Sequence, residues 1–199
     1  ALVFVTSAIF IAGNFLNASM MKRNQIQKFE AMTLYPRAKT LGEFKLQEQS
    51  ISFTEHSLKG EWHLLFMGYT NCPHICPTEM TNLSQLYQKL PANIQQRVQV
   101  IMVTTDPLRD TPEKMTTFVK QFHADFIGLS GTKEQIAQFA KQFSMPFLPA
   151  NTTDKNSTYE VNHSATIYLT NPQGQLYALF TTPHDVNKMQ ADIMKVMSL

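Results

Sequence analysis

Cysteine is scarce in this sequence: 199 residues contain two, Cys72 and Cys76. A disulfide-stapled scaffold is thereby excluded, because one bridge closing so short a loop cannot hold a chain of this length together. Charge is sparse as well. Lys and Arg total 17 against 15 Asp and Glu, for a formal net charge of +2. The basic residues are scattered singly apart from Lys22-Arg23, so the clustered basic face that nucleic-acid binding requires is missing. No tract is poor enough in apolar residues to stay unfolded, and 43% of the chain is hydrophobic. Internal repeats and low-complexity segments are absent too. What remains is the composition of one ordinary globular domain with an appendage.

The appendage is the first stretch, ALVFVTSAIFIAGNFLNASMM, residues 1–21, which carries no charge and ends at Lys22-Arg23. It is about long enough to cross a ~30 Å hydrocarbon core. Thr6, Ser7, Asn14, Asn17 and Ser19 dilute it. A transmembrane anchor, a cleavable signal peptide and a buried core helix are the three readings. No clean A-x-A site follows the run, which favours the uncleaved anchor. Residues 22–40 are polar and aperiodic and read as a tether, leaving 41–199 as the folded domain.

Within that domain the patterns alternate between strand and helix. Residues 44–60 (FKLQEQSISFTEHSLKG) alternate weakly, as a hairpin does, and 61–69 (EWHLLFMGY) is an apolar run suited to a buried strand. Met80, Leu83, Leu86, Tyr87 and Leu90 then fall at helical spacing before Pro91. Residues 98–103 (VQVIMV) form a second central strand. Asp110-Thr111-Pro112-Glu113 looks like a capped helix start, with Asp110 as the cap, and Met115, Phe118, Val119 and Phe122 follow on one face. A short strand at 126–129, a helix carrying Ile136, Phe139, Ala140 and Phe143, and a polar loop at 149–162 come next. Strands at 165–170 and 175–181 joined by an Asn-Pro-Gln-Gly turn, and a helix over 185–197, complete a three-layer α/β pattern.

The chemistry is concentrated in Asn71-Cys72-Pro73-His74-Ile75-Cys76-Pro77, at the end of one central strand and the start of a helix. In open α/β sheets, sites are built outside the carboxyl ends of strands. Cysteines at i and i+4 on a helical turn point the same way, so both sulfurs can meet one ion. The unpaired N–H groups of a helix start favour thiolate and lower the cysteine pKa. Soft thiolate pairs favour Cu(I), with zinc as the common competitor. A structural zinc site takes four Cys or His ligands, and there is no second cysteine pair. Dithiol oxidoreductases of the thioredoxin type place two residues between their cysteines, where this motif has three.

The segment Gly68-Tyr69-Thr70-Asn71-Cys72-Pro73-His74-Ile75-Cys76-Pro77-Thr78 resembles the signature of the Sco/SenC family. Thr105-Asp106-Pro107-Leu108-Arg109-Asp110-Thr111-Pro112 is similar to the family's second motif, and Val161-Asn162-His163-Ser164-Ala165 to its third. The three stand in family order, and the similarity runs from about Leu41 to Val196. The resemblance implies a thioredoxin-like fold that holds one copper ion, Cu(I) or Cu(II), through Cys72, Cys76 and His163. It implies a role in assembling the CuA centre of cytochrome c oxidase, as copper donor, thiol reductant or both. The CuA-bearing subunit, and other periplasmic copper chaperones, are the partners that follow. Asp106, by the same carry-over, lies near the metal and tunes it. His74 departs from the family's usual Asp at that place, and an imidazole there serves as an alternative ligand or alters thiolate basicity. The location implied is a membrane-anchored domain facing the periplasm, or the intermembrane space if the cell is eukaryotic.

The competing function is a thiol–disulfide oxidoreductase or redox sensor, with Cys72 attacking and Cys76 resolving. A peroxidase-like thiol enzyme on the same fold is a third option. His163 separates the first two, since copper coordination demands it and reductase chemistry does not. Asp106 before Pro107 has turn chemistry as its ordinary explanation. His56, His63, His123 and His184 read as structural or surface residues. Met80, Met115, Met189 and Met194 sit at helical spacing as core filling, and no methionine is assigned to copper.

Overall fold

The apolar run before the cysteine motif does become a strand, and every residue of Trp62–Gly68 is buried. In the computed structural model, which describes residues 28–145 and 163–198 together with 147, 153, 154, 156 and 159–161, this strand (β4) lies inside a six-stranded sheet. Its neighbours are β5 (Val98–Thr104), parallel to it, and β7 (Ile167–Thr170), antiparallel. Beyond β5 lies β6 (Ile127–Leu129), and beyond β7 lie β8 (Gln175–Phe180) and β1 (Met32–Thr40), giving the order β1-β8-β7-β4-β5-β6. A separate antiparallel hairpin, β2 (Lys45–Glu48) with β3 (Ile51–Thr54), is the one expected from the weak alternation.

A strand buried on both faces alternates between two cores. Trp62, Leu64 and Phe66 of β4, Val98, Val100 and Met102 of β5, and Ile167 and Leu169 of β7 face one cluster. That cluster is closed by α1 (Ile75–Lys89), α3 (Pro112–Val119) and α5 (Val186–Val196), through Met80, Leu83 and Leu86, Met115 and Val119, and Met189 and Ile193. Leu65, Met67, Ile101, Val103 and Tyr168 face the other cluster, closed by α4 (Lys133–Gln142) and the hairpin through Ile136, Phe139, Leu46 and Phe53. A single-turn helix α2 (Ala92–Gln95) follows Pro91 and leads into β5. The α/β architecture with helices on both faces of a central sheet is the one expected.

Two expectations are corrected. Residues 32–40 belong to the sheet and not to the tether: Met32 pairs with Phe180 and Thr40 with Gln175, with a register shift between Leu34 and Lys39 that accommodates Pro36. Most of this edge strand is exposed, so no apolar alternation marks it. The cap of α3 is Thr111, whose hydroxyl accepts from the Lys114 amide, with Pro112 at the first helical position. Asp110 is turned inward instead, for the reason given below. The 1–21 anchor and the 22–27 part of the tether lie outside the described residues, and no helix among the described residues is long and apolar enough to cross a membrane.

Candidate metal centre

Three chain segments converge at the carboxyl end of β4. The loop 69–74 carries Cys72, the first turn of α1 carries Cys76, and the segment before β7 carries His163. His163 Nε2 lies 3.6 Å from Cys72 Sγ and 3.4 Å from Cys76 Sγ. All three donor atoms fall within 4.8 Å of one another, and no other His, Cys, Asp or Glu among the described residues joins the group. A three-coordinate ion with ligands ~2.0–2.3 Å away needs donors spaced by roughly 3.5–4 Å, so the trio has the right size for one metal ion.

Local geometry holds each donor. The Cys76 amide donates to Cys72 Sγ at 3.4 Å, and the Tyr69 amide donates to Cys76 Sγ at 3.4 Å. Cys76 is completely buried against Gly68, where a Cβ would come within 2.6 Å of its sulfur. That glycine is a cradle for the thiol, and sequence reasoning passed over it although it stands at the head of the motif. His163 Nδ1 sits 3.4 Å from the Ser164 carbonyl, a partner only an N–H can serve, which leaves the Nε2 lone pair for the sulfurs. Tyr69 and Phe66 flank the imidazole edge-on, with centroids 5.5 and 6.1 Å away. Burial keeps the His163 pKa below its ordinary value, which favours the neutral, metal-binding form.

The expectation of two activated thiols is corrected for Cys76. Burial pushes that thiol well above the ordinary cysteine range, and the single amide donor from Tyr69 does not offset it. A metal that binds here must displace the proton. Cys72 lies at the floor of a cleft of about 350 Å³ whose walls are Tyr69, Pro73, His74, Ile75, Glu160 and Val161. His74, exposed at its rim, contributes no atom to the donor trio.

Asp106 is buried and is engaged elsewhere. Its carboxylate accepts from Arg109 Nε and, at 2.7 Å, from the Tyr159 hydroxyl. Burial and that carboxylate push the Tyr159 pKa up to about 12. The Arg109 guanidinium lies 3.5 Å from the Tyr159 ring centroid and 5.8 Å from that of Tyr69, the residue that flanks His163. Asp106 is thus linked to the donors through a wall of side chains. Asp110 accepts from the Thr70 amide at 3.0 Å, the Thr70 hydroxyl at 2.5 Å and the Thr104 hydroxyl at 2.9 Å. It also faces Lys114 Nζ at 3.3 Å. A buried carboxylate with this many donors ties the end of β4 to the end of β5. The demand of those donors is why it does not cap α3.

The remaining histidines stay apart. His63 is buried in β4 with its Nδ1 3.2 Å from the Thr170 hydroxyl, and burial lowers its pKa to about 4. His123 packs on Tyr87 and Phe126. Burial opposes charge on His184, but Glu79 at 2.7 Å overrides it and raises the pKa.

The family model described as SCO1/SenC matches residues 33–198. The chain belongs to the Sco/SenC family. It is 34% identical over 178 residues to a protein of Stutzerimonas stutzeri named for copper binding, covering 89% of this chain and 86% of that one. The solution structure of apo Sco1 from Thermus thermophilus superposes with a TM-score of 0.76 at 31% identity, over 87% of this chain and 99% of that one. Copper-bound yeast Sco1 gives 0.75 at 27%, over 80% and 89%. The chain spans about half the length of the mitochondrial Sco1 relatives of Arabidopsis thaliana and Saccharomyces cerevisiae, 42% and 55%. The central sheet flanked by helices is the thioredoxin-like fold of these Sco structures.

Proposed function

We propose that this chain takes one copper ion on Cys72, Cys76 and His163 and serves cytochrome c oxidase assembly, delivering copper to the CuA site or keeping its thiols reduced. The observation that carries this reading is His163 Nε2 standing within 3.4–3.6 Å of both sulfurs. Two soft sulfurs and one imidazole suit Cu(I), and the trio lacks the fourth ligand of a structural zinc site. The copper bound to the yeast relative supports the choice of metal. When copper is bound, it supplies a soft cargo ion held by few ligands and open to exchange. The chain's own part is to hold the donors. Gly68 leaves room for the Cys76 sulfur, Ser164 orients His163, and Asp110 fixes the two loop ends. His74, at the rim, is an alternative ligand in this reading, and Asp106 acts through Arg109 and Tyr69.

In the same reading residues 1–21 anchor the chain in a membrane, with the folded domain, which includes β1, facing the periplasm, or the intermembrane space in a eukaryotic cell. The CuA-bearing subunit is the acceptor, and other copper chaperones of that compartment are the donors.

Titration of the reduced protein with Cu(I) against a competing chelator tests this, with His163→Ala alongside. One-to-one binding that weakens by at least about 100-fold in the variant is expected, since even partners of ligands are worth 10–100-fold. Equal binding by both proteins would remove His163 from the site and leave the dithiol reductase as the better account.

A further inference from the structure

The first residue of β1 lies at the same end of the sheet as the thiol cleft. Met32 pairs with Phe180, Phe180 with Ile167, and Ile167 with Phe66, one row across four strands. Phe66 precedes Gly68 and the cysteine loop, and Ile167 follows His163. With strands ~4.8 Å apart, the row is only ~14 Å wide. The surface between is continuous. A groove lined by Glu30, Ala31 and Thr182 adjoins one lined by Thr182, Ala165, His74 and Ile75, and the last two residues also wall the cleft.

The segment leading into β1 is held fast. The buried Asp192 carboxylate of α5 accepts from the amides of Glu30 at 3.0 Å, Ala31 at 2.7 Å and Met32 at 2.8 Å. Lys195 Nζ donates to the Lys28 carbonyl at 2.9 Å and lies 5.2 Å from the Phe29 ring centroid. These groups serve no donor of the metal site. Three consecutive amides on one carboxylate make a fixed exit point for whatever precedes residue 28.

We infer that this clamp sets the cleft toward the bilayer surface, so that copper exchange takes place at the membrane-facing end of the domain. The inference rests on the proposed anchor at residues 1–21 and on the proposed copper site. Between that run and the clamp stand residues 22–27, which reach at most about 20 Å when fully extended. A domain of this size is about 40 Å across. A leash half the width of the domain cannot let the domain turn its far end to the membrane. A tether over 22–40 would reach about 65 Å and impose no orientation. The strand pairing and the Asp192 clamp remove that freedom.

The test uses the full chain in phosphatidylcholine vesicles carrying an acceptor-labelled headgroup lipid. A donor dye is placed on His74→Cys beside the cleft or on Gln173→Cys in the β7–β8 turn at the opposite end of the sheet, both with Cys72→Ser and Cys76→Ser. Energy transfer reports the height of each dye above the bilayer. The dye at position 74 is expected to sit nearer by about 20 Å, half the domain width. A twelve-residue Gly/Ser insertion after residue 27 is expected to make the heights alike. Equal heights without the insertion, a nearer dye at 173, or failure of the chain to join vesicles would overturn the orientation. A difference that survives the insertion would overturn the leash as its cause. The copper titration of the unlabelled chain is independent: if it fails while the heights differ, the copper exchange falls and the orientation stands.

Discussion

On one face of the central sheet, Leu64, Phe66, Val100, Met102 and Ile167 pack against α1, α3 and α5, and both cysteines belong to that same core. On the other face, Leu65, Met67, Ile101, Val103 and Tyr168 pack against α4 and the β2–β3 hairpin, with no donor residue among them. The same strands supply both faces by simple alternation. The difference lies in what closes each one. The first face is covered by the helix whose opening turn carries Cys76, so its packing and its chemistry share space: the Cys76 sulfur, Phe66 and Met102 all converge on Gly68. The second is closed by aromatic stacking, with Phe139 4.6 Å from Phe143 and edge-on to Phe44 at 5.0 Å. One face can therefore be altered without the other only in one direction.

The largest effect should come from the packing face. Phe139→Ala is expected to lower stability by about 3–5 kcal/mol while leaving the copper affinity of the folded protein unchanged. Urea unfolding and chelator competition read the two quantities separately. A parallel loss of affinity would mean the faces are coupled through the sheet.

Next comes acid sensitivity on that face, where His63 is buried with a pKa of about 4. Between the ordinary value and that one, the unfolded chain takes up a proton the folded chain refuses, so stability falls with falling pH. By pH 4 the loss reaches about 3 kcal/mol. Urea midpoints at pH 7 and pH 4.5 should converge in His63→Gln, and an unchanged difference between the two pH values would contradict the assignment.

Gly68→Ala acts on the other face. The added Cβ, 2.6 Å from Cys76 Sγ, is expected to weaken Cu(I) binding by about tenfold together with a stability loss of about 1–3 kcal/mol. Retained affinity in a destabilised protein would show that the cradle serves packing alone. The smallest change belongs to the rim: His74→Asp should shift equilibrium Cu(I) affinity by no more than about threefold, within the range of one weak hydrogen bond. A loss as large as that of His163→Ala would make His74 a primary ligand.

Much of this molecule was readable before its folding was known. β4 and β5 announced themselves as apolar runs, and α1, α3 and α4 as helical periodicities, because burial on a sheet or helix face imposes a period on the sequence. The thiol pair was readable as chemistry, since i and i+4 on one turn already places two sulfurs together. β1 was not readable. Its contacts are backbone hydrogen bonds to β8 at an exposed edge, which impose no pattern on side chains. Asp110 was misread as a cap because its position fits one, while the donors that claim it come from Thr70 and Thr104 in two other segments.

The sequence by itself determined the layer order of the domain and the local pairing of Cys72 with Cys76, both properties of residues near in the chain. His163 could be placed at the site beforehand only through the Sco/SenC resemblance, because nothing local connects it to residues 87 and 91 positions away. The tertiary structure alone decided that the Cys76 thiol is buried, that Asp106 is spent on Arg109 and Tyr159, and that Asp192 seizes the amides of residues 30–32. Each of these depends on which surfaces pack together, and a carboxylate or a thiol takes its character from the groups that packing brings to it.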